Sequence, residues 1–397
     1  MKNTKQIMEK YDKYVLNTYK RIPMSIVKAK GSWVWDAEGK KYLDFFPGWA
    51  VSGLGHCHPR VVKAVREQAE KLLHVSNNYF SPAQAALAEK IIQSSFKGKV
   101  FFANSGAEAN EAAIKLARAY GNAVKNNAFE IITMFKSFHG RTLATIAATG
   151  QDKVKKGFDP IPVGFKHVPF NDIDALKKEI TDKTAAIMFE PVQGEGGINI
   201  ATKEYMAAVR KLCDEQKILL ILDEVQTGMG RSGKIFAYQH YGITPDAMTL
   251  AKSLGGGLPI GACVVKEEFT GFLKPGMHAS TFGGSPIVCA ASLAVFEAIE
   301  KDKLLVNANK MGKYFYGELK KLQKKYPIIK NIKQMALMIG VELGKEGDAI
   351  VSECLANRLL INCTQGNILR IMPAVIVTKK EINTAIMILD KALKNNA

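Results

Sequence analysis

The residues whose types and placement point to chemistry are Asp223 and Lys252. Ile218-Leu219-Leu220-Ile221-Leu222 is an unbroken apolar run that stops at Asp223-Glu224-Val225-Gln226. Such a run reads as a parallel strand buried on both faces. Its abrupt end delivers a carboxylate to the C-terminal edge of a sheet, where open α/β proteins bind ligands. Further on, Thr249-Leu250-Ala251-Lys252 precedes Ser253-Leu254-Gly255-Gly256-Gly257, so a β-like segment ends in an amine followed by residues whose missing side chains let backbone approach a ligand. An amine and an anion at one sheet edge are what pyridoxal phosphate requires: a Schiff-base partner, and a counter-ion that keeps the pyridine nitrogen protonated as an electron sink. Alone, Lys252 would be one more solvated lysine and Asp223 a helix-capping acid; their joint placement favours the cofactor.

Other segments supply the remaining parts of such a site. Ser105-Gly106-Ala107-Glu108 opens an amphipathic helix with a capping-box spacing, and free N–H groups at a helix start attract anions, so the phosphate is assigned to the amides of Gly106 and Ala107. Val225 faces the ring and Gln226 reaches its phenolic oxygen. Phe138-His139-Gly140-Arg141 offers an aromatic plate for stacking and, in Arg141, a fork that pairs with a substrate carboxylate. Arg370, between apolar neighbours, is a second buried arginine; it serves either a substrate carboxylate or an ion pair with Glu195, and both at different moments. His56-Cys57-His58-Pro59 lacks the further ligands of a closed zinc site and reads as a structural turn, so no metal is expected.

Stepping outward, strands at 100–103, 131–135, 185–189, 218–222, 247–250 and 262–266 alternate with helical patterns, which predicts an α/β fold with a large, mostly parallel sheet flanked by helices. The first five are each followed by polar or glycine-rich residues, so five strands feed one site. Residues 32–44 predict a β-hairpin around an Asp-x-x-Gly turn. Helices at 286–301 and 304–326, short strands at 338–343 and 368–371 and a closing helix at 380–394 predict a smaller α+β domain built from both termini. The expected division is an N-terminal segment, 1–56, packing on that smaller domain; a large cofactor-binding domain, 57–286; and the small domain, 287–397.

With 397 residues, 47% hydrophobic and 23% charged, the chain can bury a sizeable core, and this composition argues against disorder. No segment approaches the roughly 20 apolar residues that cross a bilayer, so no membrane partner is expected, and residues 1–20 lack the apolar core of a signal peptide. Six scattered cysteines without CxxC spacing argue against a disulfide framework and for a reducing, cytoplasmic location. Fifty-five basic against 37 acidic residues give a net charge of +18. That charge admits a nucleic-acid surface as a remote alternative, but the lysines spread along amphipathic helices and no RNP-type aromatic motif accompanies them, so a solvated face is favoured and no nucleic-acid partner is expected.

At these residues the chain resembles the class III pyridoxal-phosphate aminotransferases of fold type I. The motifs run from 17–21 through 55–59, 104–118, 138–142, 190–197, 223–230, Lys252 and 278–286 to 369–373. The resemblance implies a Schiff base on Lys252, phosphate on Gly106 and Ala107, the ring between Phe138 and Val225, and contacts from Asp223 and Gln226 to its nitrogen and phenolic oxygen. It also implies a homodimer in which Ser280, near substrate, and Thr281, on phosphate, reach the neighbouring active site. Arg141 then binds the α-carboxylate, while Arg370 and Glu195 form a switch, paired for the amino donor and parted for glutamate. The implied partners are small amino-acid and 2-oxo-acid substrates, and the implied reaction is ping-pong transfer of the terminal amino group of N2-acetylornithine to 2-oxoglutarate within arginine biosynthesis. Two positions depart from the family pattern. Ala107 replaces a common threonine, where a backbone amide serves equally well. Trp49 stands where a smaller aliphatic residue is usual for that substrate and reshapes the substrate pocket; because ornithine enzymes tend to place tyrosine there, sister activities on ornithine, 4-aminobutyrate or succinylated amino acids stay open.

Overall fold

The computed structural model describes residues 3–396. The apolar run ahead of Asp223 folds as strand Leu219–Asp223, every residue of it buried, and burial of each large aliphatic side chain stabilises the fold by about 1.5–3 kcal/mol. It lies at the centre of a seven-stranded sheet ordered Gly98–Ala103, Gly261–Lys266, Ala247–Leu250, Leu219–Asp223, Thr184–Phe189, Glu130–Met134 and Phe165–Val168. Only Gly261–Lys266 runs against the direction of the other six strands. The six expected strands are therefore present, with ends shifted by up to two residues. The seventh, Phe165–Val168, was not expected: it is a short edge strand whose Lys166 bridges Glu130 at 3.1 Å and Glu179 at 3.3 Å, so it has no apolar signature.

Register explains why chemistry gathers at one edge. Leu222 lies opposite Phe189, and Asp223 opposite Thr249, so the chain leaves three adjacent parallel strands at Glu190, Asp223 and, three residues past Thr249, Lys252. Helix Gly106–Val124 starts at the same edge. Its N-cap Ser105 accepts from the Glu108 amide at 3.2 Å, and its buried face is built largely of alanines 109, 112, 113 and 117 with Leu116, small enough for the helix to sit close on the sheet. The remote half of that helix is seated by Gly121, where a Cβ would lie 2.0 Å from the Ala128 carbonyl oxygen.

The expected hairpin forms from Trp33–Asp36 and Lys41–Asp44, with the Gly39 amide bonded to the Asp36 carbonyl across the turn, and Ile26–Lys30 adds a third antiparallel strand. Leu359–Leu360 pairs in parallel with Leu43 and Asp44, joining the N-terminal segment to the C-terminal region. A second sheet runs Ile329–Met335, Met338–Leu343, Ile368–Ile371 and Asn362–Thr364; helix Leu304–Lys325 packs on its Ile329–Met335 strand, and helix Lys379–Asn396 packs on that helix. The His56-Cys57-His58 segment is a turn, with Cys57 at φ +51°, and the His56 imidazole lies 2.8 Å from Asp44. Among the described residues no helix is long and apolar enough to cross a membrane.

Candidate active site

The sheet edge opens into a cavity of about 500 Å³ whose walls include Gly106, Ala107, Phe138, Arg141, Glu195, Asp223, Val225, Gln226 and Lys252. Nine of the residues singled out in the sequence thus share one chamber. Asp223 is 3% exposed. Its Oδ2 accepts from Asn110 Nδ2 and His139 Nδ1, each at 2.8 Å, and its Oδ1 accepts from the Val225 amide at 3.0 Å. Thr249 Oγ1 donates to Asn110 Oδ1 at 2.6 Å, so the clamp on the carboxylate is itself held from behind. Charge-assisted bonds of this kind fix an anion in place. Oδ1, with a single protein donor, retains acceptor capacity for a further N–H.

Lys252 begins a short 3-10 turn at φ +47°, a left-handed conformation that costs a non-glycine residue free energy and that clusters at functional sites. Burial pushes its ammonium pKa down, against the opposing pull of Glu195, Asp223 and Glu190. The amine is accordingly closer to its neutral, nucleophilic form than a surface lysine.

At the helix start, the Gly106 and Ala107 amides belong to the first turn, whose N–H groups have no intrahelical acceptor. A Cβ on Gly106 would lie 2.8 Å and 3.0 Å from the two methyls of Val225, so the absent side chain is what lets Val225 and the helix start approach each other. Gln226 Oε1 is buried without a hydrogen-bond partner, an acceptor waiting for a donor. Phe138 is held through its amide, which donates to Glu190 Oε2 at 3.1 Å, and the exposed Arg141 places its guanidinium carbon 5.4 Å from the Phe138 ring. An anion seat, a buried acceptor for an N–H, a basic amine and two apolar plates in one cavity fit pyridoxal phosphate.

Arg370 is fully buried; its Nη1 donates to Glu195 Oε1 at 2.8 Å and its Nε to Asn362 Oδ1 at 3.1 Å, while Nη2 has no partner. Trp49 does not line the chamber. Its ring centroid lies 5.4 Å from the guanidinium carbon of Arg370, which likewise does not line the chamber, and that of Phe46 lies 4.7 Å from the same carbon. Gly48, Trp49 and Ala50 have φ of +57°, +62° and +67°, and a left-handed residue with a Cβ costs roughly 1–2 kcal/mol. Ser280 and Thr281 lie apart, in a neighbouring surface depression that shares Asn104 with the main cavity; Ser280 Oγ accepts from Asn104 Nδ2 at 3.1 Å.

Three functional positions were not identified from sequence. Asn110 and His139 reach Asp223 from 113 and 84 residues away, with no local signal. Glu190 had one, an acid ending an apolar strand like Asp223. Burial, and then the nearby Asp223, raise its pKa well above the ordinary carboxylate range, which keeps it toward the neutral acid beside Phe138.

With this geometry in view, the aminotransferase class-III family model matches residues 14–393. An acetylornithine aminotransferase of Caldanaerobacter subterraneus subsp. tengcongensis is 54% identical over 96% of this chain and 97% of its own. That of Methanocaldococcus jannaschii is 53% identical over 96% of each. Among solved structures, the ornithine aminotransferase of Toxoplasma gondii is 32% identical with a TM-score of 0.96, over 100% of this chain and 96% of that one. The acetylornithine aminotransferase of Elizabethkingia anophelis is 32% identical with a TM-score of 0.88, over 100% of both chains.

Proposed function

Since this chain belongs to the class-III aminotransferases, we propose that it transfers the terminal amino group of N2-acetylornithine to 2-oxoglutarate, giving N-acetylglutamate 5-semialdehyde and glutamate, with pyridoxal 5'-phosphate as cofactor. The observation that carries the substrate assignment is the identity of 54% and 53% to two acetylornithine aminotransferases over nearly the whole chain. The cofactor, when bound, supplies an electron sink for the carbon that exchanges its amino group.

The residues divide the remaining tasks. Lys252 supplies the amine that holds the cofactor and, with its pKa lowered by burial, can carry a proton to and from the substrate carbon as a general base. Asp223, clamped by Asn110 and His139, accepts the pyridine N–H and keeps it protonated. Gly106 and Ala107 bind phosphate through their amides, Gln226 meets the phenolic oxygen, and Phe138 and Val225 press on the two ring faces. Arg141 binds the α-carboxylate common to both substrates, and Arg370 stays paired with Glu195 until a second carboxylate takes that place.

The assembly is a homodimer carrying Ser280 and Thr281 to the partner active site. Support comes from the exposed apolar surface beside them: Phe80 is fully solvent-exposed, Tyr79 and Phe282 are exposed, and Asn77 Nδ2 ties this patch to the Ser280 carbonyl at 3.0 Å. Contiguous exposed apolar surface marks an interaction site. The six free cysteines suit a reducing cytoplasm. The division at residues 56 and 286 accords with a large sheet lying wholly within residues 98–266.

A second reading, transamination of ornithine itself, is favoured by the aromatic Trp49 and by the TM-score of 0.96 to the Toxoplasma ornithine aminotransferase. Steady-state kcat/KM for acetylornithine, succinylornithine, ornithine and 4-aminobutyrate separates the two. Acetylornithine is expected to lead, and a clear preference for an unacylated diamine would overturn the assignment.

A further inference from the structure

The Glu195–Arg370 pair leaves a mechanical question: when Glu195, which lines the cavity, withdraws, something must keep the buried guanidinium behind it in place. Arg370 Nε stays on Asn362, at 3.1 Å, but one bond leaves the group free to pivot. Its guanidinium carbon lies over two rings, Phe46 at 4.7 Å and Trp49 at 5.4 Å to the ring centroids, both within reach of a cation–π contact. The rings brace each other edge to face, centroids 5.2 Å apart at 68°.

Trp49 is 52% exposed, so core burial does not account for its position. That position is reached through three successive left-handed residues, Gly48, Trp49 and Ala50, a run that persists only where surrounding contacts enforce it. One such contact comes from the lysine loop: Ser253 Oγ donates to the Ala50 carbonyl at 2.7 Å, and Ser253 follows Lys252. Gly53 keeps the same passage open, since a Cβ there would lie 2.3 Å from Ser253 Oγ. The strained turn is thus anchored at one end to the lysine loop, and at the other it lays an aromatic ring on Arg370.

We infer that Trp49 is a positioning residue for recognition of dicarboxylates, which with Phe46 holds the Arg370 guanidinium in place once Glu195 has left, so that Nη1 and the unpartnered Nη2 together meet a second carboxylate. The inference deepens the proposed transaminase reading and rests on it. An arginine backed by two neighbouring rings presents both Nη groups as a preformed fork, and preorganisation raises affinity by removing the cost of ordering. The ligand class is a five-carbon dicarboxylate such as 2-oxoglutarate or glutamate.

The test compares wild-type holoenzyme with Trp49→Leu, Trp49→Phe and Trp49→Gly. Calorimetry measures binding of glutarate against pentanoate, which lacks the second carboxylate; steady-state kinetics measure KM for 2-oxoglutarate against KM for acetylornithine. One cation–π contact corresponds to a range from about twofold to about thirtyfold in affinity. The ratio of glutarate to pentanoate Kd, and that of the two KM values, should accordingly rise roughly fivefold in Trp49→Leu and Trp49→Gly. Trp49→Phe, which keeps a π face, should restore most of the loss. Trp49→Gly also relieves the positive φ, so its thermal midpoint should not fall and the result reads binding rather than folding. Unchanged ratios in Trp49→Leu and Trp49→Gly would overturn the inference, as would equal losses for acetylornithine and 2-oxoglutarate. A wild-type enzyme indifferent between glutarate and pentanoate would instead remove the transaminase reading itself.

Discussion

Asp223→Asn changes one atom type within a committed set of hydrogen bonds. In the native site Oδ2 receives N–H groups from Asn110 and His139, and Oδ1 receives the Val225 amide. Every group facing the carboxylate is a donor, and the pyridine N–H would be one more. An asparagine has a single acceptor oxygen. If that oxygen stays with Asn110 and His139, its NH2 confronts the Val225 amide and the cofactor nitrogen; turned the other way, it confronts Asn110 and His139. Either orientation leaves buried donors unmet and removes the charge that keeps the ring nitrogen protonated. A hydrogen bond to a charged group contributes about 1.5–3 kcal/mol, which converts to a rate loss of roughly tenfold to a hundredfold. The assay is kcat/KM for each half-reaction at saturating cofactor, with the cofactor Kd measured by dialysis. Thr249→Val, which removes only the hydroxyl behind Asn110, should cost less, about threefold, as loss of one neutral hydrogen bond. If Asp223→Asn kept its rates within about threefold of wild type, an amount equivalent to one neutral hydrogen bond, the role given to this carboxylate would be wrong.

Other expectations follow from the same coordinates. Gly106→Ala drives a Cβ to 2.8 Å from Val225; the helix start or Val225 must shift, and cofactor affinity measured by dialysis should drop about tenfold, the equivalent of roughly one lost hydrogen bond to a charged group. Glu224 is 1% exposed and burial raises its pKa from 4.5 to about 7. The native state therefore binds the extra proton between those values, and the stability of the wild type should fall relative to Glu224→Gln as pH rises from about 4.5 through about 7, then level off. Thermal midpoints of both proteins across that window check it, and parallel profiles would contradict it. Phe80→Glu puts a charge on a fully exposed apolar side chain; analytical ultracentrifugation should show a weakened dimer, and an unchanged sedimentation profile would remove this patch from the interface.

The sequence carried the central sheet and the two residues at its edge because both signals are local. The run 218–222 is apolar throughout, and an abrupt Asp223 or Lys252 after a β-like stretch needs no tertiary information to be noticed. What escaped depends on distance or on burial. Phe165–Val168 sets Lys166 and His167 side by side between its two apolar residues, on an edge, so it carries no period-two hydrophobic signal. Ile329–Met335, with a bulge between Ile329 and Asn331, is only partly buried. Asn110 and His139 became visible only when the sheet brought them to Asp223. The left-handed course of Gly48–Ala50 escaped as well, since nothing in Trp49 or Ala50 announces a positive φ; it is held by contacts such as Ala50 with Ser253. Trp49 was expected to shape the pocket, and its ring lies 5.4 Å from the Arg370 guanidinium carbon.

Lys252 is the amine proposed to hold the cofactor in the cavity it shares with Asp223. Borohydride reduction of the holoenzyme fixes that linkage, and peptide mass spectrometry then reads which lysine carries the pyridoxyl group. The predicted result is a single modified peptide, labelled at Lys252 and absent from Lys252→Ala. A label on any other lysine, or retention of the label in Lys252→Ala, would contradict it.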